Sequence, residues 1–317
     1  MARHCSICIR EERPAIDAAL LAEEPYRNIS ARFGTSLGAL SRHHTNHLLE
    51  RWTAAPRNQA LCLTDTDFLS RLPDGSIDVW WASPPYNLAD ELRGGGGRAA
   101  GQYRYANGHG RGDGLLMPED RYQDWQVRIL TEWHRTLTDA GVAFYSHKNR
   151  HKAGELLSPY RWIARTPLVV LGEVVWDRGG TPNVDIRRFL PVSERIYILA
   201  RHPKRKLANV ARWRDVLDWD DVVRVSPQAR SRARTNHPAP AHPEVVRRCL
   251  SVAPPRADGR RPLVADCYGG VGTTALVARD LEMDYLIADH AAEYVQAAQR
   301  RLAWPVQTGP LSTGAGA

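Results

Sequence analysis

Ser83-Pro84-Pro85-Tyr86 follows directly on an apolar run, Ile77-Asp78-Val79-Trp80-Trp81-Ala82, and has the composition of a pocket for an amino group carried on a flat ring. Two consecutive prolines fix the backbone and remove two N–H donors, so the carbonyls there can serve as inward-pointing acceptors. Tyr86 adds an aromatic face on which a ring can stack. The same tetrapeptide also suits a plain strand-ending turn, and taken alone it does not choose between the two.

A second constellation lies near the other end of the chain. Leu263-Val264-Ala265-Asp266 reads as a buried strand, Cys267-Tyr268-Gly269-Gly270-Val271-Gly272 as a glycine-rich turn, and Thr273-Thr274-Ala275-Leu276 as the first turn of a helix. Glycines let a ligand approach the main chain, and a helix N-terminus presents N–H groups to it. No lysine follows the last glycine, so the turn is not a P-loop. About fifteen residues further on, Asp284-Tyr285-Leu286-Ile287-Ala288-Asp289 gives another short strand, ending in a carboxylate suited to ribose hydroxyls.

With both motifs in this order, the chain resembles the DNA amino-methyltransferases of the permuted β class, in which an SPPY or DPPY motif precedes the cofactor-binding motif. The resemblance runs from about Gln59 to Leu302. Leu61-Cys62-Leu63-Thr64-Asp65 and Leu72-Pro73-Asp74-Gly75-Ser76-Ile77-Asp78 are similar to the family's lead-in. Glu132 to Leu137 and Gly141 to Phe144 are similar to its next helix and strand. Asn236-His237-Pro238-Ala239-Pro240 to Cys249 resembles the segment that wraps the cofactor, and Asp266 to Thr274 its DPFxGSGTT motif.

The resemblance implies an α/β fold: a Rossmann-like methyltransferase sheet with permuted motif order, S-adenosylmethionine as methyl donor and duplex DNA as substrate. It implies that Ser83, Pro84, Pro85 and Tyr86 form the catalytic pocket, in which a flipped base stacks on Tyr86 while Ser83 and the Pro84 carbonyl orient its amino group. It also assigns Asp65, Asp266, Tyr268, Gly269, Gly270, Gly272, Thr273 and Asp289 to the cofactor. Asp65 would meet the adenine, Asp266 and residues 269–272 the methionine part, and Asp289 the ribose. Ser at the first motif position is commoner among N4-cytosine enzymes, which favours cytosine, with N6-adenine as the alternative. Ala82, where cytosine enzymes often carry Thr, and Cys267-Tyr268, in place of Pro-Phe, depart from the pattern. A cognate restriction nuclease is a further partner the resemblance suggests, and the oligomeric state stays open.

Composition fits this picture. The 317 residues, 43% of them hydrophobic, suffice for one sizeable catalytic domain with small attachments. Lys and Arg number 43 against 35 Asp and Glu, a net charge of +8 that favours a polyanionic partner. The charge crowds one stretch: Arg201, Lys204, Arg205, Lys206, Arg212, Arg214, Arg224, Arg230, Arg232 and Arg234. Residues 201–236 are therefore the expected target-recognition insert, with phosphate contacts supplying affinity. No apolar run is long enough to span a bilayer and the N-terminus has no signal-peptide core, so a cytoplasmic protein without a membrane partner is expected. The five cysteines form no secreted disulfide framework, and no Pro-Cys dipeptide offers a thiol for covalent attack on a ring. Cys62 and Cys267 fall in apolar strands and read as packing residues.

Three regions emerge. Residues 1–50 form a separate helical unit, residues 59–304 the methyltransferase domain with a glycine-rich loop from Arg93 to Gly114, and residues 305–317 a disordered tail. Within the first, Tyr26 to Phe33 and Leu37 to Leu49 read as helices joined at Gly34-Thr35-Ser36, with Ile29, Phe33, Leu37 and Leu40 packing across the turn. This helix-turn-helix pattern would present Ser41, Arg42, His43, His44 and Asn46 to DNA. Cys5 and Cys8, two residues apart, and His43 and His47, three apart, have the spacings of paired zinc ligands, though the stretch between the pairs is far longer than in a zinc finger. Two readings of other classes stand beside the enzyme: a DNA-binding regulator on an inactive methyltransferase scaffold, and a methyltransferase acting on RNA or protein.

Overall fold

Ile77–Ala82 (β2) is buried along its whole length, as expected of a strand at the centre of a sheet covered on both faces. The computed structural model describes residues 5–7, 10–22, 24–44, 51–87, 117–152, 154–180, 189–203, 207, 221–226, 237 and 240–303. Beside β2 lie Leu137–His147 (β3) on one side and Leu263–Asp266 (β9) on the other, both parallel to it. Asp284–Asp289 (β10) and Gln59–Cys62 (β1) continue the parallel order beyond β9. Beyond β3 come Ser193–Ala200 (β7) and Val169–Asp177 (β6), paired antiparallel, and then Val222–Arg224 (β8), parallel to β6. The eight-stranded order is thus β1-β10-β9-β2-β3-β7-β6-β8, with Arg150–Lys152 (β4) and Glu155–Leu157 (β5) as a separate hairpin.

Alternation along β2 sends its side chains into two different cores. Trp80 and Ala82 join Phe68, Tyr122, Trp133, Tyr145 and Trp162 beneath Asp65–Arg71 (α4), Glu119–Thr136 (α5) and Tyr160–Ile163 (α6). Val79 and Trp81 join Phe144, Val245, Val246 and Val277 beneath Pro243–Leu250 (α7) and Thr273–Asp280 (α8). Trp80 stacks on Trp133 at a centroid distance of 5.0 Å, and its indole N–H donates to Thr136. Ala292–Ala303 (α9) follows β10 and packs on β1 and β10.

Asp78 is the polar break in β2, and it is buried. Its carboxylate accepts two bonds from Arg256, at 2.8 and 3.0 Å, and one from the Leu263 N–H at 2.9 Å. A buried carboxylate is tolerable when paired and hydrogen-bonded. Here the pairing stitches β2 to the start of β9, so their carboxyl ends emerge side by side.

The N-terminal unit comprises Arg13–Leu21 (α1), Tyr26–Phe33 (α2) and Leu37–His43 (α3) around a small core of Ile7, Ile16, Ala19, Leu20, Ile29, Ala39 and Leu40. Gly34 ends α2 in the left-handed conformation, and the Ser36 side chain caps α3 by accepting from the Ala39 N–H at 3.1 Å. Two expectations are corrected here. Leu37 is 46% exposed, because the first residue of α3 points away from the core that Leu40 enters. His43 is buried, and His44 stays half-exposed while bonded to the Tyr26 hydroxyl at 2.7 Å, so of the residues expected to face DNA only His43 is turned wholly inward among those described. Asn46, the glycine-rich loop, the tail and most of the basic stretch lie outside the described residues. Of that stretch, Arg201 is engaged within the protein, with the Leu137 carbonyl at 3.2 Å and Asp139 at 2.9 Å. Among the described residues, no helix is long and apolar enough to cross a membrane.

Candidate active site

The order β10-β9-β2-β3 reverses chain direction of growth between β9 and β2, and in such sheets ligands bind at the carboxyl ends flanking that point. Both motifs sit there. Ser83-Pro84-Pro85-Tyr86 leaves the end of β2, and residues 267–272 leave the end of β9.

On the β2 side a directed chain of hydrogen bonds forms. The Tyr86 hydroxyl lies 2.7 Å from Ser83 Oγ and donates to Glu194 Oε2 at 3.2 Å, while Glu194 Oε1 accepts from Arg178 at 2.8 Å. A phenol has one proton; with that proton on the carboxylate, Ser83 must donate to Tyr86. The Ser83 lone pairs are thereby left for an incoming N–H. Burial, and then the Glu194 charge, push the Tyr86 phenol well above its ordinary value, so it stays a neutral donor.

The Tyr86 ring packs on His147 at a centroid distance of 4.4 Å. Burial and the Arg150 charge hold His147 well below the usual histidine range. A neutral ring whose Nδ1–H donates to the Lys148 carbonyl, 2.7 Å away, must accept at Nε2 from the Tyr122 hydroxyl, also at 2.7 Å. The same hydroxyl lies 2.8 Å from the Pro85 carbonyl, so its single proton is shared between that oxygen and His147 Nε2. Arg150 covers the Tyr122 ring at 4.6 Å and forms a bidentate pair with Glu119. Sequence reading missed Glu194, His147 and Tyr122. The one available signal was an acid in the otherwise apolar Ile196–Ala200 neighbourhood of β7.

On the β9 side the contacts are short-range. Asp266 is 3% exposed; one oxygen accepts from the Tyr268 N–H at 2.9 Å and the other from the Thr274 hydroxyl at 2.6 Å. Burial pushes this carboxyl up to about 7. Both bonds shape the turn, and each oxygen keeps a further lone pair. Gly269 N–H donates to Ala288, and Gly272 N–H to Gly269, each at 2.8 Å. Gly272 has φ +81°, and a Cβ there would lie 2.8 Å from that of Ala298, so only glycine suits the close approach to α9. Thr273 is buried as the first residue of α8.

Asp289, ending β10, accepts from the Gly270 N–H at 3.0 Å and the Ala291 N–H at 2.9 Å, and burial raises its pKa. Its carboxylate keeps further lone pairs at the rim, beside the apolar residues Ala60, Leu61, Ile287 and Ala288. His237, from the segment expected to wrap the cofactor, lies against Gly270 and over Tyr294 at a centroid distance of 4.6 Å. Asp65 joins the two sides: its Oδ2 accepts from the Tyr268 hydroxyl at 2.7 Å and the Trp125 indole at 3.0 Å. Cys267 is buried as expected, whereas Cys62, at the end of the edge strand β1, is exposed and is not a core packing residue.

A model of the DNA methylase family, covering N6- and N4-amino-methyltransferases, matches residues 77–300. The chain belongs to that family. It is accordingly an S-adenosylmethionine-dependent DNA amino-methyltransferase. The type II methyltransferase M.ScaI of Streptomyces caespitosus is 26% identical over 244 residues, which cover 67% of this chain and 70% of that protein. Among solved structures, the cytosine-N4-specific PvuII DNA methyltransferase superposes with a TM-score of 0.61 at 15% identity, covering 81% of this chain and 89% of that one. The M1.HpyAVI complex with S-adenosylmethionine gives 0.51 at 15% identity, covering 78% and 99%. These last two show a shared fold.

Of the four residues with zinc-like spacing, Cys5 and His43 are adjacent in space, whereas Cys8 and His47 lie outside the described residues. Among the described residues, no three His, Cys, Asp or Glu side chains are grouped to hold a metal.

Proposed function

We propose that the base methylated is cytosine, at N4, within duplex DNA, and that Ser83 sets the geometry of the attack. The carrying observation is the direction of the Ser83–Tyr86–Glu194 chain, which leaves the serine oxygen as an acceptor. One N–H of the extrahelical base would meet Ser83 and the other the Pro84 carbonyl, while Tyr86 supports the ring. The amino lone pair, otherwise delocalised into the ring, is then turned toward the methyl donor; orientation and polarisation are the catalytic work. When bound, S-adenosylmethionine supplies a methyl group on a sulfonium, a good leaving group. Asp289 would hold its ribose, Asp65 its adenine side, and the turn at residues 269–272 its amino-acid part.

The basic stretch at residues 201–236 and the unit at residues 1–50 are read as contributors to DNA affinity and site choice. The likeness to a type II methyltransferase supports a restriction–modification role with a cognate nuclease, and the DNA substrate supports a cytoplasmic location. The test is nucleoside mass spectrometry of DNA from an expressing strain. N4-methylcytosine is the expected product, and N6-methyladenine as the sole product overturns the cytosine assignment.

A further inference from the structure

The N-terminal unit carries a buried polar group that methyl transfer does not use. His43 is 0% exposed; its Nδ1 lies 3.3 Å from Cys5 Sγ, and its Nε2 lies 2.6 Å from Asp17 Oδ1. Carboxylates accept, so Nε2 carries the hydrogen and the Nδ1 lone pair faces the sulfur. That is how a metal-bound imidazole is commonly held: one nitrogen on the ion, the other donating to a carboxylate that fixes tautomer and ring plane. Asp17 is itself held, its second oxygen accepting from Arg13 at 3.2 Å.

We propose that Cys5 and His43 are two ligands of a structural zinc ion, with Asp17 as the carboxylate that orients His43. Thiolate sulfur and imidazole nitrogen bound tetrahedrally to one zinc stand about 3.5 Å apart, close to the separation found. Cys8 and His47, which sequence spacing pairs with Cys5 and His43, lie outside the described residues. The need for such a staple is physical. Among the described residues the core of the unit is seven side chains, two of them alanines, and small units commonly require a metal to stay folded. The ion would tie the segment before α1 to the end of α3, and so would hold Ser41 and Arg42 in place for a nucleic acid.

The test uses the full chain, purified without chelator. Elemental analysis should find one zinc per chain, and cobalt substitution should give a thiolate-to-cobalt charge-transfer band with tetrahedral d–d absorption. Cys5→Ser should lose the ion and the band. Asp17→Asn, which keeps every ligand, should weaken zinc in chelator competition by about 10–100-fold. S-adenosylmethionine affinity should stay unchanged in both, which separates this proposal from the catalytic one. No zinc in fresh protein, zinc retained in Cys5→Ser, or wild-type zinc affinity in Asp17→Asn each overturns it.

Discussion

The two strand ends that meet at the active site are built in opposite ways. At β9 the polar groups are satisfied by near neighbours in sequence: Asp266 bonds residues two and eight positions on, and Asp289 bonds Gly270 nineteen positions back. At β2 the partners are distant, with Glu194 108 positions from Tyr86 and Tyr122 37 positions from Pro85. The β9 end is thus held largely by nearby backbone, the bond from the Tyr268 hydroxyl to Asp65, 203 positions away, being the exception. The β2 end is a set of side chains with no defined arrangement until β7, β3 and α5 have assembled around them. Cofactor affinity should therefore respond to backbone substitutions at β9, and turnover to side-chain substitutions anywhere along the Ser83–Glu194 chain.

The harshest way to break this division is Gly272→Val. A β-branched residue at φ +81°, with Ala298 in contact, should destabilise the fold by about 3 kcal/mol and abolish cofactor binding; calorimetry and thermal melting check both. Retained binding would mean that the turn is not the cofactor cradle.

A crossed pair comes next. Asp289→Ala should weaken S-adenosylmethionine by about 1.5–3 kcal/mol through loss of hydrogen bonds to a charged group. Ser83→Ala should lower turnover by a comparable energy, about 10²-fold, with cofactor affinity intact. Binding isotherms beside single-turnover rates give the comparison, and a serine variant that loses cofactor affinity would collapse the distinction.

The smallest effect sharpens it most. Glu194→Gln preserves shape but offers an N–H where a carboxylate accepted, which removes the reason for Ser83 to donate toward Tyr86. Turnover should fall about tenfold, the equivalent of ~1.4 kcal/mol, at unchanged cofactor affinity. An unaltered rate would assign Glu194 to structure alone.

How well each region can be read from sequence follows the same division. The glycine turn is legible because its requirements are local: a strand, positive φ at defined places and a helix N-terminus. The SPPY motif is legible as composition, but Glu194 and His147 are not, since nothing near residue 86 indicates which strand will lie alongside. The N-terminal hairpin repeats the lesson. Its helices, its left-handed glycine and its serine cap follow from local signals. The burial of His43 and exposure of Leu37 depend on α1, which supplies Asp17 and the opposing apolar face.

By itself the sequence determined which segments become strands, turns and helices, and it put the SPPY motif and the glycine-rich turn at the ends of two of those strands. Those properties depend on periodicity, glycine conformational freedom and proline chemistry, each of which acts over a few residues. The tertiary structure alone decided that the two ends lie side by side. Val79 pairs with Val264, and Asp78 reaches Arg256 178 positions away. It also decided that the Ser83 hydroxyl donates inward and leaves its lone pairs outward. Hydrogen-bond direction is set by the last acceptor in a chain, and here that acceptor arrives on another strand.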